Sequence, residues 1–285
     1  MLISVITPVH NRQELIVRMA QTVISQSYSQ WELIIVDDGS TDETVDRLTP
    51  FLEDARLKLI STSREGSAAA RNLGAAQAKG EFIVFLDSDD EALPGWLETV
   101  APHLRADVGL LSIGCIRSYT NYEEFDRPHT VKFGGMNVRM KFLAGTLFIR
   151  RSLFIAAEGF DTMLRASQMT VLCYRLLQTL KQTQLKVITL ENTFLVRINI
   201  HTGNRIRNDW KLLSEEYEKF LTNYSTHLFG RDKPELANQF ATVAYYHFKA
   251  GKKTGALKRI GNAILLNPLK IKNYGRALKY MLLKN

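Results

Sequence analysis

Two clusters of carboxylates follow apolar segments of the sequence, Asp37-Asp38 and Asp87-Ser88-Asp89. Carboxylate oxygens suit a hard divalent cation, and such a cation can compensate the negative charge of a bound diphosphate. Short Asp/Ser clusters also make turns and cap helices, so either cluster taken alone leaves both interpretations open. One helix cap needs only one carboxylate, so the adjacent pair Asp37 and Asp38 favours a binding role for at least one of them.

The segments around these clusters alternate between strand and helix patterns. Continuous apolar runs predict five strands, at 2–6, 32–36, 57–60, 82–86 and 108–113. Helices are predicted between them, at 13–25, at 41–51 with Ser40 and Glu43 as a capping box, at 67–78, and after Pro94. This alternation predicts a mostly parallel sheet flanked by helices. Ligands bind outside the carboxyl ends of the strands in such sheets, which is where both clusters fall.

The second half of the sequence carries weaker patterns. Strands are predicted at 146–149, 186–190 and 194–198, and a helix at 170–180. Residues 117–145 show no regular pattern and are expected to be irregular. From about residue 208 the chain is predicted to be wholly helical. The fold class that follows is α/β, with an α-helical C-terminal extension.

Charge is spread unevenly along the 285 residues, whose net charge is +8. Beyond Glu235 there are ten basic residues and no acidic one, so the first 235 residues are slightly acidic. Such asymmetry predicts an anionic partner for the tail, either a membrane or a nucleic acid. The tail has no recognised nucleic-acid-binding motif, and the membrane is therefore favoured. Apolar residues such as Leu278 and Met281 would then face lipid, or alternatively pack on the chain itself.

Neither a secretory signal nor an apolar run long enough to span a bilayer is recognised. Cys115 and Cys173 form neither a CxxC motif nor a disulfide framework, which favours a reducing compartment. The expected location is the cytoplasm, or the inner face of the plasma membrane if the tail binds lipid.

Four segments stand out in order along the chain: SVITPVHNR at 4–12, VDDGSTD at 36–42, AARNLG at 69–74 and FLDSDD at 85–90. In order and spacing they resemble family 2 of the glycosyltransferases, which has the GT-A fold. The resemblance implies a domain at 1–205, with a Rossmann-like nucleotide-binding half at 1–115 and an acceptor-side half at 116–205, followed by the helical extension at 206–285. It also implies inverting transfer of a sugar from a nucleotide-sugar donor, expected to be a UDP-sugar, to a hydroxyl of a glycan or glycolipid. Bacterial polysaccharide or glycolipid assembly is the implied setting.

The resemblance also implies roles for individual residues. Thr7 and Pro8 would line the base pocket and Asp38 would contact the base. The whole set of implied nucleotide contacts is Thr7, Pro8, Val9, Arg12, Asp38, Arg71, Asp87 and Ser88. Asp38 is predicted to lie beyond the end of its strand, so Asp38→Ala is expected to weaken nucleotide binding without unfolding the domain.

A divalent cation, Mn²⁺ or Mg²⁺, is the implied cofactor. Asp87 and Asp89 form the family's DXD element, with Asp89 as the stronger candidate for metal ligation. His201 lies in a segment similar to the family's Arg-x-His-x-x-Asn stretch and would approach the diphosphate or the metal. An ordinary loop histidine is the equal alternative.

The sequence departs from the family at one place. Residues 157–161 resemble the family's Gly-Gly-Phe-Asp stretch beside the acceptor site. The family then carries Glu-Asp at the start of a helix, where the Asp is the general base, but here the matching positions are Gln168 and Met169. Methionine cannot take a proton. Three interpretations stay open: the alignment is shifted, Glu158 or Asp161 serves as the base, or the enzyme is impaired.

Three rival functions follow from these patterns. A nucleotide-sugar-binding protein without turnover would explain the missing Glu-Asp, although the intact Asp38, Arg71, Asp87 and Asp89 favour a working metal-assisted site. A nucleotidyltransferase usually has a glycine-rich basic loop after its first strand, and residues 7–12 contain no glycine. A dinucleotide-dependent oxidoreductase is disfavoured because no GxGxxG motif follows that strand.

Overall fold

The computed structural model describes residues 1–200, 209–230 and 232–282. Its strands in chain order are β1 (Ile3–Val9), β2 (Trp31–Asp38), β3 (Leu57–Thr62), β4 (Phe82–Phe85), β5 (Glu91–Ala92), β6 (Val108–Ile113), β7 (Cys115–Ser118), β8 (Glu123–Asp126), β9 (His129–Phe133), β10 (Met136–Met140), β11 (Leu147–Arg150), β12 (Lys186–Leu190) and β13 (Val196–Asn199). Its helices are α1 (Gln13–Ile24), α2 (Thr44–Leu48), α3 (Ser67–Gln77), α4 (Trp96–Val100), α5 (Arg151–Ala156), α6 (Gln168–Leu180), α7 (Trp210–Phe229), α8 (Lys233–Lys249), α9 (Lys253–Leu266) and α10 (Ile271–Leu282).

A seven-stranded sheet forms the centre of the first structural unit. Its strand order is β12-β6-β11-β4-β1-β2-β3. Neighbouring strands run parallel except at β11, which is antiparallel to both β4 and β6. Because β4, β1 and β2 are adjacent and parallel, their carboxyl ends meet at one edge of the sheet. The predicted mostly parallel α/β sheet is therefore confirmed.

Burial explains the continuous apolar runs of the sequence. Every residue of β1 and β4 is buried, because helices cover both faces of a parallel sheet. The helix α3 can approach β1 closely because it carries Gly74 at the contact. A Cβ atom at Gly74 would lie 2.5 Å from Cγ2 of Ile6, well inside van der Waals contact.

The expectation that residues 117–145 are irregular is wrong. They contain half of β7 and all of β8, β9 and β10. The strand β7 belongs to a four-stranded sheet of order β5-β13-β7-β8, while β9 and β10 pair as a hairpin. These strands are short, and β8 is largely exposed with the sequence Glu-Glu-Phe-Asp. An exposed strand of four residues gives no apolar periodicity, so sequence patterns do not reveal it.

Two predicted helix starts also differ from the structure. The capping box at Ser40 is absent: α2 begins only at Thr44, and the Ser40 hydroxyl oxygen accepts a hydrogen bond from the Asn11 N–H at 2.9 Å. The carboxylate of Asp42 instead accepts from the Thr44 N–H at 3.0 Å. Pro94 does not open a helix, because it lies in the turn before α4, and Gly95 between them has a φ of +80°.

The chain divides into two compact units. The first, called the sheet unit below, comprises the described residues 1–131, 138–162 and 175–200 and holds the seven-stranded sheet. The second, called the helical unit, comprises 132–137, 163–174, 209–230 and 232–282 and includes α7 to α10. The prediction of a helical C-terminal region is confirmed within the described residues. The predicted domain boundary at 205/206 lies outside them and stays a prediction.

The four C-terminal helices pack in sequence order, with α7 on α8, α8 on α9 and α9 on α10. The contact between α8 and α9 is made by small side chains. The buried alanines there are Ala241, Ala244, Ala256 and Ala263. No helix in the described part of the chain is long and apolar enough to cross a bilayer.

Candidate functional site

A cleft of about 180 Å³ opens at the carboxyl ends of β1, β2 and β4, within the sheet unit. This edge of the sheet is where ligands bind in open α/β folds. The residues that line it come from three loops and the start of α3: Pro8, Val9, His10, Arg12, Asp38, Ser67, Arg71, Asp87, Ser88 and Asp89. The cleft therefore brings together most of the residues that the family resemblance assigns to nucleotide and metal.

Arg71 and Asp87 form the central ion pair of the cleft. The Arg71 side chain, on α3, is 10% exposed, and its Nη2 lies 2.6 Å from Oδ1 of Asp87. Its guanidinium also lies over the ring of Phe160, at 5.4 Å from the ring centroid. A guanidinium held by a carboxylate and an aromatic face is fixed in position, and a fixed cation is suited to bind phosphate oxygens.

Three carboxylates approach one another beside this ion pair. Oxygen atoms of Asp87, Asp89 and Asp90 all lie within 4.8 Å of one another, and no other group of three metal-ligating side chains is so close within the described residues. Like charges at this distance repel, so a bound cation would stabilise the group. Oxygen donors of this type suit Mn²⁺ and Mg²⁺, and the residues therefore fit the implied metal.

The three carboxylates are not equivalent. Asp90 is 3% exposed, and its Oδ1 accepts a hydrogen bond from the Asn199 N–H at 3.0 Å, which ties the turn to β13. Asp87 and Asp89 line the cleft. The backbone carbonyl of Asp89 accepts from Nδ2 of Asn199 at 2.8 Å, so β13 also fixes the backbone of this turn. The outward pair, Asp87 and Asp89, is thus held on a rigid backbone.

The structure corrects the expectation for Asp38. Asp38 is the last residue of β2, not a residue beyond it, and it is only 5% exposed. Its Oδ1 accepts from the Glu65 N–H at 2.7 Å, and its Oδ2 accepts from the Gly66 N–H at 2.9 Å. The carboxylate therefore holds the loop before α3, so Asp38 supports the fold as well as lining the cleft.

Thr7 and Asp37 belong to the motifs at the strand ends, but neither is among the residues that line the cleft. Thr7 is fully buried in β1, its hydroxyl lies 3.7 Å from the sulfur of Met19, and it does not line the cleft. Asp37 is 3% exposed, and its Oδ1 has no hydrogen-bond partner among the described residues. Two residues that line the cleft were not predicted from the sequence, His10 and Ser67. The Nδ1 atom of His10 lies 3.0 Å from the Asp38 carbonyl oxygen.

The Gly-Phe-Asp stretch is anchored beside Arg71. Asn72 donates from Nδ2 to the Phe160 carbonyl at 2.9 Å and accepts from the Phe160 N–H at 2.8 Å. Gly159 has a φ of +61°, and a Cβ atom there would lie 2.6 Å from Oδ1 of Asn72. This close approach requires glycine. Asp161 follows directly, so it is attached to a segment that is locked onto α3.

Glu158 and Asp161, the two alternative bases, differ in their surroundings. Glu158 has a φ of +59°, and its carboxylate, 86% exposed, lies 2.7 Å from Nη2 of Arg175. Neither Glu158 nor Asp161 is among the residues that line the cleft. Gln168 and Met169 begin α6, which is the helix start where the family carries its Glu-Asp. His201 lies outside the described residues.

The seven-stranded sheet and the carboxylate cleft at its strand ends define an α/β fold of the GT-A type. The family profile for "Glycosyl transferase family 2" matches residues 4–169, which is more than half of the chain. The chain therefore belongs to glycosyl transferase family 2.

Similar proteins carry related names. The UDP-Glc:alpha-D-GlcNAc-diphosphoundecaprenol beta-1,3-glucosyltransferase WfgD of Escherichia coli is 36% identical over 124 residues, which are 43% of this chain and 46% of that protein. The chain spans less than half the length of the curated relatives it matches.

Solved structures show the same fold. The structure of S. aureus TarS 1-349 in complex with UDP-GlcNAc has a TM-score of 0.66 at 17% identity, covering 98% of this chain and 89% of that one. The mannosyltransferase PcManGT from Pyrobaculum calidifontis, in complex with GDP-Man and Mn²⁺, has a TM-score of 0.59 at 19% identity, covering 98% and 81%.

Proposed function

We propose that this chain is an inverting glycosyltransferase that moves a sugar from a UDP-sugar to a hydroxyl of a glycan or glycolipid acceptor. The observation that carries the proposal is the cleft in which Arg71, Asp87 and Asp89 come together at the strand ends. A UDP-linked donor is favoured because WfgD uses UDP-Glc by its name and TarS 1-349 holds UDP-GlcNAc. The name of WfgD also favours a diphosphate-lipid acceptor in polysaccharide assembly.

The residues of the cleft would have different roles in such a reaction. Arg71 would bind the diphosphate, because its guanidinium is fixed by Asp87 and Phe160. Asp89 and Asp87 would hold Mn²⁺ or Mg²⁺. When bound, such a cation neutralises the negative charge that develops on the departing diphosphate. The loop held by Asp38 shapes the nucleotide side of the cleft.

The transfer also needs a base for the acceptor. The acceptor oxygen forms a bond to the anomeric carbon, the bond from that carbon to the diphosphate oxygen breaks with its electron pair, and the acceptor proton passes to a carboxylate. For that carboxylate we favour Asp161 over Glu158. Asp161 follows Phe160, whose ring lies against Arg71, whereas the carboxylate of Glu158 is paired with Arg175.

Calorimetry with UDP and Mn²⁺, together with an assay of sugar transfer and donor hydrolysis, tests this function. We expect Asp89→Ala to lower UDP affinity in Mn²⁺ at least about tenfold and turnover by about 100-fold or more, without changing thermal stability. Asp161→Asn should keep UDP affinity and lose turnover. Asp46→Ala, which removes an exposed carboxylate from α2, is the matched control and should change neither.

The opposite result in each experiment would contradict one part of the proposal. Equal UDP binding by wild type and Asp89→Ala would rule out the metal site. Full turnover in Asp161→Asn would place the base elsewhere. The second candidate function, nucleotide-sugar binding without transfer, is favoured by Met169 at the helix start. It would be established if the wild type binds UDP-sugars but neither hydrolyses nor transfers them across a panel of acceptors.

A further inference from the structure

The connection between α9 and α10 exposes large apolar side chains. Leu265, Leu269 and Ile271 are 82%, 89% and 82% exposed, and they lie within seven residues of one another. Single exposed apolar residues are common on protein surfaces, whereas a contiguous group marks a surface that binds something apolar. The same part of the chain also has the strongest charge asymmetry.

The helix α10 presents three distinct faces. Asn273, Ala277 and Tyr280 share the face that is packed against the rest of the helical unit. A second face is apolar but exposed, and at helical spacing it carries Ile271, Tyr274, Leu278, Met281 and Leu282. The third face is basic and exposed, with Lys272, Arg276 and Lys279. The apolar stripe is therefore additional to the stripe that the fold itself uses.

The basic residues of this region have few acidic neighbours. Lys252 pairs with Glu215 and Arg259 pairs with Glu218, both on α7. In the part of the chain that the structure describes, no carboxylate forms an ion pair with Lys272, Arg276 or Lys279. No acidic residue follows Glu235 in the sequence. The exposed apolar stripe is thus accompanied by uncompensated positive charge on the same helix.

We infer that α10 and the α9–α10 connection form a docking surface for an anionic lipid membrane. An interfacial helix buries an apolar face among the acyl chains while its lysine and arginine side chains reach the headgroups, and α10 has both faces exposed side by side. Anionic lipid is the occupant that matches the charge. A second copy of this chain would bring the same positive charge to the contact, and a nucleic acid would leave the leucine side chains without an apolar partner. The inference goes beyond the proposed function and does not depend on the donor or on turnover.

Co-sedimentation of the full chain with lipid vesicles tests this docking surface. One set of vesicles contains phosphatidylglycerol and phosphatidylcholine in equal parts, and the other contains phosphatidylcholine only. We expect the wild type to sediment with the anionic vesicles at low salt, to remain in the supernatant with the neutral ones, and to be released as salt rises, because salt screens surface charge.

Two triple variants separate the apolar and basic contributions. The basic variant is Lys272→Gln/Arg276→Gln/Lys279→Gln, and it should lower the partition coefficient on anionic vesicles about 100-fold. The apolar variant is Leu265→Ser/Leu269→Ser/Ile271→Ser, and it should lower that coefficient at least about tenfold. All six positions are solvent-exposed, so both variants are expected to fold, and circular dichroism checks this.

Matched controls carry the same changes elsewhere on exposed positions. Lys58→Gln/Lys79→Gln/Lys181→Gln loses the same charge, and Leu52→Ser/Ile155→Ser/Met163→Ser removes three other exposed apolar side chains. Both should bind anionic vesicles like the wild type.

Several outcomes would overturn the docking surface. The wild type could stay in the supernatant with anionic vesicles at low salt, or it could sediment equally with neutral vesicles. The basic and apolar variants could also bind anionic vesicles like the wild type. A wild-type dimer in sedimentation velocity that the apolar variant abolishes, without vesicle binding, would assign the surface to self-association instead.

Discussion

Asp38 in the sheet unit and Glu218 in the helical unit are two carboxylates that are held by different kinds of partner. In the sheet unit, Asp38 and Asp90 accept hydrogen bonds from backbone N–H groups of nearby loops. In the helical unit, Glu218 is held by the side chains of His247 and Arg259, which come from two other helices. Backbone N–H groups are present in every loop, whereas side-chain partners require particular residues far along the chain.

This difference gives the two kinds of carboxylate different sensitivities to substitution and to pH. A carboxylate held by backbone defines the path of a loop, so removing it should disturb the site that the loop shapes. A carboxylate held by side chains joins helices, so its effect should depend on the protonation of those side chains. Three tests of the two units follow, from the largest expected effect to the smallest.

The first test removes the carboxylate of Asp38. Asp38→Ala leaves two N–H groups without their partner, those of Glu65 and Gly66. Each hydrogen bond to a charged group is worth about 1.5–3 kcal/mol, so we expect the free energy of unfolding to fall by about 3 kcal/mol, together with weaker nucleotide binding. Urea unfolding measures the loss, and Asp46→Ala is the control. Unchanged stability with impaired binding would mean that Asp38 serves only the ligand.

The second test makes one substitution in each unit. Gly74→Ala places a methyl group 2.5 Å from Cγ2 of Ile6, inside a packed interface, and overpacking of this kind costs about 1–3 kcal/mol. Gly261→Ala in α9 meets no atom within 4 Å and gains helix propensity, so it should stabilise by about 0.5–1 kcal/mol. Thermal unfolding of both variants should therefore shift in opposite directions. A stable Gly74→Ala would show that α3 can move away from β1 without cost.

The contrast also explains how much of the structure the sequence could predict. The strands of the central sheet are continuous apolar runs, because both of their faces are buried, and their predicted positions agree with the structure. The Arg-Asn-Leu-Gly motif carries three separable constraints: Arg71 binds Asp87, Asn72 binds the Phe160 backbone, and Gly74 admits Ile6. The motif is recognisable in the sequence, but the partners Asp87, Phe160 and Ile6 lie far from it along the chain, so these contacts are seen only in the structure.

Other features could not be predicted because their causes are distant in sequence. Whether Asp38 lies inside or beyond β2 depends on pairing with β3, which extends to Thr62. The strand β8 is recognised as a strand only through its pairing with β7. The network around Glu218 joins residues that are 29 and 41 positions apart, so no local pattern indicates it.

The third test is the pH dependence of that network. His247 on α8 has a pKa that burial, and then the charge of Lys252, lowers below 6.5. Its Nε2 lies 2.9 Å from the Glu218 carboxylate, and its buried Nδ1 has no hydrogen-bond partner among the described residues. Arg259 already compensates the charge of Glu218. Protonating Nδ1 would therefore bury an N–H without an acceptor, and the folded state favours the neutral ring.

The sign of the effect follows from this lowered pKa. Above about pH 6.5 the ring is neutral in both the folded and the unfolded chain, and the contribution of His247 to stability is fully present. As pH falls below 6.5, the unfolded chain takes up a proton first, so stability is lost until the pH reaches the lowered pKa of the folded state. Each unit by which the pKa is lowered is worth about 1.4 kcal/mol once the pH is below both values.

Comparison with His247→Gln isolates this effect from all other titrations. A glutamine amide can still donate to Glu218 but does not titrate. As the pH falls from 7.5 to 5, the unfolding free energy of the wild type should therefore fall relative to that of the variant. Urea unfolding at several pH values measures it. If the wild type instead gained stability on acidification, the attraction of Glu218 would outweigh burial. The network of Glu218, Arg259 and His247 would then stabilise the charged ring of His247.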